Sequence, residues 1–417
     1  MTTLQFSGCM QLRQRVALAT LSGKTIRIKD IRYRDEKPGL RPEEANFLRL
    51  IEKLTNGCVI EINETGTSLF YKPGVLAFGH PNEIRHDCGT ARSIGYFLEG
   101  ILPLAPFGKR PLHLTLYGIT NDERDQSVDG LRNVTVRLLK HFGLVDGLEL
   151  KVQKRGAPPK GGGQVTFSCP CVRELKPINL TDEGFVKRIR GVACAPPPGQ
   201  SAPPLCLTVG VRLGDCSGAD STRVSPQISN RIVDSARGVL NHFIPVLASC
   251  PGLSDRRRAY ACAGLTCVWC GAQDVYIYSD HYRGEQSGAS SGYGLSLAAE
   301  TTTGCIISAE RVATTDGNTL PEDIGANAAK RLLQDLKHGG CVDSTNQWLM
   351  LLYMALCPED ISRCRLGKLT DFTVSYLRLL HQVFGVTFKL SADTSTVTPT
   401  IIASCRGIGF QNTAKRV

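Results

Sequence analysis

Lys24-Thr-Ile-Arg-Ile-Lys-Asp-Ile-Arg32 and Arg41-Pro-Glu-Glu-Ala-Asn-Phe-Leu-Arg-Leu-Ile-Glu-Lys-Leu54 together decide the fold class. The first alternates polar and apolar residues, the pattern of a half-buried strand. The second places Phe47, Leu50, Ile51 and Leu54 at helical spacing. Pro42 sits in the first turn, and Glu43 and Glu44 lie beside the positive end of the helix dipole. Asn56-Gly57 is expected to end that helix.

The same strand–helix grammar recurs down the chain. Thr90 to Leu102 and Ser127 to Phe142 read as helices. Leu112 to Gly118 and Leu148 to Arg155 read as strands. Near the C-terminus, Asp343 to Leu356 and Thr370 to Phe384 read as helices, and Val386 to Leu390 and Thr400 to Cys405 as strands. Three rounds of two helices with several strands predict an α/β protein built from a repeated α+β unit. Between the second and third rounds lies another block. Ser225 is a candidate N-cap with Pro226 at the first helical position. Val275-Tyr-Ile-Tyr278 reads as a strand, Leu295 to Glu300 with Cys305 to Glu310 as a hairpin, and Pro321 to Leu336 as a helix. The expected organisation is therefore a large domain of three repeated α/β units, 1–190 and 339–417, with a smaller α/β domain inserted at 191–338.

Two segments, 194–223 and 246–273, have no sustained period. The first contains the linker-like Ala195-Pro-Pro-Pro-Gly-Gln-Ser-Ala-Pro-Pro204. They hold Cys194, Cys206, Cys216, Cys250, Cys262, Cys267 and Cys270. Cys250, Cys262 and Cys267-Val-Trp-Cys270 suggest zinc, but a second paired half-site is missing, so no metal is expected. Surface insertions or translated introns explain both segments, and poor order is expected in each.

A net charge of +11 favours an anionic partner, of which nucleic acid is the commonest. No apolar run is long enough to span a bilayer, and the N-terminus lacks a signal-peptide pattern, so an intracellular protein with no membrane partner is expected. The 17 cysteines then read as free thiols.

Several motifs carry a family resemblance. They are Phe6-Ser-Gly-Cys-Met-Gln-Leu-Arg-Gln-Arg15, Lys37-Pro-Gly-Leu-Arg41, Arg155-Gly-Ala-Pro-Pro-Lys-Gly-Gly-Gly-Gln-Val165 and Leu180-Thr-Asp-Glu-Gly-Phe-Val-Lys-Arg-Ile-Arg-Gly191. To these add Gly292-Tyr-Gly-Leu-Ser-Leu-Ala-Ala-Glu-Thr-Thr302, Leu320-Pro-Glu-Asp-Ile-Gly325, Gly339-Gly-Cys-Val-Asp-Ser-Thr-Asn-Gln347 and Gly407-Ile-Gly-Phe410. Outside the two irregular segments the chain resembles the RNA 3′-terminal phosphate cyclase family, more closely its eukaryotic ribosome-assembly branch.

The resemblance implies the fold of three repeats plus an insert. Cyclases adenylate a histidine and pass the nucleotide to an RNA 3′-phosphate, and this needs a nucleophile and a metal-nucleotide site. Here the histidine position aligns with Phe372. The cyclases' Glu-Gly-Gly-Gly-Gln becomes Phe6-Ser-Gly-Cys-Met10, and acidic positions of a later helix become Ser344 and Trp348. Cyclase activity is not expected, and no cofactor is. Of the remaining histidines, His381 lies nearest the lost position on the same predicted helix, where packing is its expected role.

The resemblance implies a nucleolar, non-enzymatic member of the small-subunit processome. Its implied partners are a ribosome-assembly GTPase, pre-rRNA and a small nucleolar ribonucleoprotein. The competing expectation is an endoribonuclease making an early pre-rRNA cut. Arg365, Lys368 and Asp371 are its candidate base, acid and cationic groups. Lys187, Arg188, Arg190, Arg363, Arg365 and Lys368 are candidates for holding RNA phosphates or an acidic partner. The run Lys160-Gly-Gly-Gly163 lacks the Lys-Ser/Thr ending of a P-loop and reads as a tight turn.

Overall fold

Three four-stranded sheets share one strand order in this computed structural model, which describes residues 3–78, 83–194, 226–243, 274–279, 288, 290, 292–314, 319–394 and 398–413. The first sheet contains β1 (Leu4–Ser7), β2 (Ile26–Lys29), β3 (Val59–Ile62) and β4 (Leu69–Lys72), ordered β1-β2-β4-β3. The second contains β5 (Ile84–Asp87), β6 (Leu112–Gly118), β7 (Glu149–Lys154) and β8 (Gly163–Cys169), ordered β5-β6-β8-β7. The third begins with β9 (Asn179–Leu180). A fourth sheet comes next in sequence, with β10 (Val186–Cys194), β11 (Asp274–Ser279), β12 (Gly294–Thr301) and β13 (Ile306–Val312). The third sheet is then completed by β14 (Ile361–Leu366), β15 (Lys389–Asp393) and β16 (Thr400–Arg406), ordered β9-β14-β16-β15.

In each of these three sheets the first pair is parallel and the other two pairs are antiparallel. A parallel pair needs a crossover, and helices supply it. α1 (Leu12–Ser22) joins β1 to β2, and α3 (Ile94–Ile101) joins β5 to β6. α7 (Gln347–Leu356) leads into β14. The second helix of each unit precedes its closing hairpin: α2 (Pro42–Leu54), α4 and α8 (Asp371–Phe384). α4 runs through three consecutive pieces, Val128–Gly130, a π segment Leu131–Thr135, and Val136–His141.

The helices bury one contiguous core. All ten residues of α7 are buried, which is why its sequence is apolar on every side. The Tyr353 hydroxyl donates to the Leu102 carbonyl at 2.6 Å, and Lys24 Nζ to the Val383 carbonyl at 2.6 Å, tying the units together. The fourth sheet is ordered β11-β10-β12-β13. Its own core joins Ile189, Ile277, Leu297 and Ala309 to α5 (Pro226–Phe243) and α6 (Pro321–His338). Because β10 starts at Val186, the strand that opens this sheet runs through position 191.

Element types follow the sequence reading, and several boundaries do not. α2 passes straight into an extended Thr55, which pairs with Leu76, so Asn56-Gly57 does not end it. The helix expected from Thr90 starts at Ile94, because Ser93 is extended and bridges to Ile119. The helix expected from Asp343 starts at Gln347. Asp343 Oδ1 accepts from Asn346 N at 2.9 Å and holds the intervening residues as a turn. The strand expected from Val386 starts at Lys389. The Ser225 cap and, apart from Cys194, the segments 194–223 and 246–273 lie outside the described residues. No helix among the described residues is long and apolar enough to cross a membrane.

Candidate functional site

A cleft of about 360 Å³ opens between the C-terminal end of α6, the loop through Gly339–Ser344 and the turn from Gly367 to Asp371. Gly340 makes this approach possible. Its φ is +100°, and a Cβ there would strike the Gly367 backbone nitrogen. Gly340 N donates to Glu183 Oε2 at 2.6 Å. Thr370 caps α8 by accepting from Thr373 N at 3.1 Å, which sets Asp371 in the first helical turn at the rim. Gln347 braces the turn, donating to the Lys368 carbonyl at 3.1 Å and accepting from Thr373 Oγ1 at 2.9 Å.

The cleft is rich in carboxylates. Asp335, Asp343 and Asp371 line it with His338 and Lys368. Burial, then the neighbouring Asp343, holds the Asp335 carboxyl above its ordinary range. Burial also raises Asp343, against hydrogen bonds from Ser308 Oγ at 2.7 Å and Asn346 Nδ2 at 2.8 Å. Three carboxyl groups thus line the cleft together with one lysine and one histidine.

The three nuclease candidates are not brought together. Lys368 and Asp371 share the cleft. Arg365 is turned away, with Nε donating to the Thr181 carbonyl at 2.7 Å and NH2 paired to Asp393 at 2.9 Å. This guanidinium is committed to these bonds and does not line the cleft with Lys368 and Asp371. Arg363 is exposed, two residues before Arg365 on the same face of β14, and does not line the cleft. On β10, Arg188 and Arg190 do share a face, while Lys187 is exposed at a register shift. Arg188 pairs with Glu300 at 2.6 Å.

Phe372 sits one residue into α8 with its ring partly exposed and stacked on Tyr376, centroids 6.2 Å apart. Gln11 Nε2 donates to the Phe372 carbonyl at 3.2 Å, so the Phe6–Gln11 loop does lie against this position. A phenyl ring has no lone pair with which to take up a nucleotide phosphate. His381 lies at the far end of α8, where its Nδ1 is 3.3 Å from the Val386 carbonyl. The glycine run after Lys160 is a turn with positive φ at Gly161 and Gly162, and the Lys160 amide is committed to Ser290 Oγ at 2.9 Å.

Sequence reading missed a buried acidic seam between β13 and the second unit. Glu310 accepts from Ser127 N at 2.8 Å and from its hydroxyl. Burial, partly offset by these Ser127 bonds, pushes Glu310 up to about 7. Burial would also raise Asp129, but the guanidiniums of Arg155 and Arg132 outweigh it and hold that carboxyl low. Arg155 meets Asp129 with two bonds of 2.6 Å. Nothing in local sequence announces such a cluster, because its members come from three separate stretches.

Comparison with known proteins agrees with this architecture. The family model for RNA 3′-terminal phosphate cyclase matches residues 4–390. The chain belongs to the RNA 3′-terminal phosphate cyclase family. Within it, the chain is 45% identical to a probable RNA 3′-terminal phosphate cyclase-like protein of Dictyostelium discoideum, covering 99% of both chains. It is 45% identical to the human RNA 3′-terminal phosphate cyclase-like protein, over 99% of this chain and 98% of that one. It is also 40% identical to the rRNA processing protein rcl1 of Schizosaccharomyces pombe, over 99% and 98%. Its relatives are thus named as cyclase-like proteins, one of them for rRNA processing.

Proposed function

We propose that this chain is a non-enzymatic factor of the small-subunit processome, needed for the early pre-rRNA cleavages that lead to small-subunit rRNA. In this reading it works in the nucleolus, binding a ribosome-assembly GTPase, pre-rRNA and a small nucleolar ribonucleoprotein. The observation that carries the reading is Phe372. The cyclase fold is intact around it, yet the residue at the head of α8 is an aromatic ring packed on Tyr376. The name of the fission yeast relative supports the rRNA-processing part. The test is depletion of the protein with rescue by chosen variants, reading early pre-rRNA intermediates. Rescue by Asp371→Ala and Lys368→Ala is expected. Loss of processing in those variants, with stable folding and intact assembly, would refute the non-enzymatic reading.

One observation favours a second reading. Lys368 and Asp371 do line a common cleft, as an endoribonuclease would need. Purified protein that cuts a pre-rRNA fragment, and stops cutting on Asp371→Ala, would establish it.

A further inference from the structure

The fourth sheet has two unlike faces. One carries Ile189, Ile277, Leu297 and Ala299 against α5 and α6. On the other face, β13 is covered. Glu310 is bonded to Ser127, and Ser308 Oγ donates to Asp343 at 2.7 Å. On the opposite half of that face, on β10 and the edge strand β11, Tyr276 is exposed and Arg188, Arg190 and Tyr278 are partly so, while Val192 is buried. Register sets Arg190 beside Tyr276 and Val192 beside Tyr278, and directly paired residues point to the same side of a sheet. Tyr276 is 51% exposed, and its ring lies 4.7 Å from that of Tyr278.

Two arginines of β10, Arg188 and Arg190, lie on this half, with Asp274 of β11 in register with Arg188. Arg188 at 2.6 Å and Arg137, reaching from α4, at 3.8 Å share the single carboxylate of Glu300. Arg190 makes no hydrogen bond or ion pair among the described residues. Burial, then the repulsion of Arg188, lowers the Arg190 pKa, and a bound anion would relieve that repulsion.

We propose that this half-face binds single-stranded RNA, with bases stacked on the exposed Tyr276 and the adjoining edge of Tyr278 and the phosphate chain held by Arg190 and Arg188. A β-sheet that presents adjacent aromatic rings with flanking cations suits unpaired bases, whose flat faces are free to stack. A duplex hides those faces. An acidic peptide would engage the arginines but leave the tyrosine pair unused. The inference deepens the pre-rRNA part of the proposed function and rests on it.

The test uses the full chain and a fluorescent single-stranded pyrimidine-rich RNA, read by anisotropy. Tyr276→Ala is expected to weaken binding roughly 5- to 150-fold, the loss of one stacked base. Tyr276→Phe keeps the stacking surface and is expected to bind like the wild type. Arg190→Ala is expected to weaken binding and to flatten its salt dependence. Ultraviolet cross-linking of the wild type is expected to mark the peptide containing 274–279, a readout that does not depend on how a variant folds. Wild-type affinity in both alanine variants, or cross-links confined elsewhere, would overturn the assignment of this face while leaving an RNA-binding assembly factor intact. A wild-type protein that binds an acidic peptide here and no RNA would overturn both the assignment and the pre-rRNA part of the proposed function.

Discussion

Glu310→Gln should change how stability depends on pH. Raising a partly buried carboxyl from 4.5 to about 7 corresponds to about 3 kcal/mol of proton linkage as an upper bound. The sign follows from which state holds the proton. Below 4.5 both folded and unfolded chains carry it, and the folded state keeps its full stability. As pH rises towards 7 the unfolded chain releases the proton while folded Glu310 retains it, so stability falls. Above 7 the folded carboxyl ionises and the deficit stays constant at up to about 3 kcal/mol. Asp343, also raised, contributes in the same direction, and Asp129, held low, in the opposite one. Glutamine keeps an acceptor for Ser127 N but cannot ionise, so the difference between wild type and variant isolates Glu310. Urea unfolding at steps from about pH 4.5 to about pH 8 is the assay. The variant should gain up to about 3 kcal/mol on the wild type across that window. A difference curve that stays flat would refute the proton-holding Glu310 at the seam between β13 and Ser127.

Three further outcomes are expected. Asp129→Ala removes the carboxylate that meets Arg155 with two bonds, both side chains being almost wholly buried, and should cost about 3–5 kcal/mol in denaturant unfolding. Arg365→Ala should lower stability by about 1–3 kcal/mol through loss of its bonds to Asp393 and Thr181, whereas Lys368→Ala should leave the melting temperature nearly unchanged. A processing defect in Arg365→Ala alone would therefore accompany a lowered melting temperature. Phe372→His should not restore covalent nucleotide transfer, assayed with labelled ATP, because Phe6-Ser-Gly-Cys-Met10 lacks the carboxylate and two of the glycines that the resemblance to cyclases implies there.

Elements with a strong period were legible in the chain. The apolar spacing of Phe47, Leu50, Ile51 and Leu54 gave α2, and Leu112 to Gly118 gave β6 with its observed bounds. Ends set by long-range contacts were not legible. Ser93 stays extended because Ile119, on another strand, pairs with it, and the 343–346 turn is held by a side chain that also bonds Ser308. The site shows the same division. Phe372, at the position where the resemblance places the cyclase histidine, was readable because it is a matter of residue identity. Grouping Arg365 with Lys368 was not a safe reading of adjacency, because strand alternation sends Arg365 towards Asp393. The tyrosine pair was within reach: Val275-Tyr-Ile-Tyr278 puts both rings on one face of a strand. Its exposure was not, since that depends on which half of the sheet the large core covers.

The most direct test of a cyclase fold that works without catalysis is one incubation. Purified protein is mixed with ATP, a 3′-phosphorylated RNA and an internal pre-rRNA fragment, and RNA retention, nucleotide transfer, cyclisation and strand scission are read together. Retention of RNA with no transfer, no cyclic phosphate and no cut is the expected result. Cyclisation, or scission that disappears in Asp371→Ala, would contradict the account.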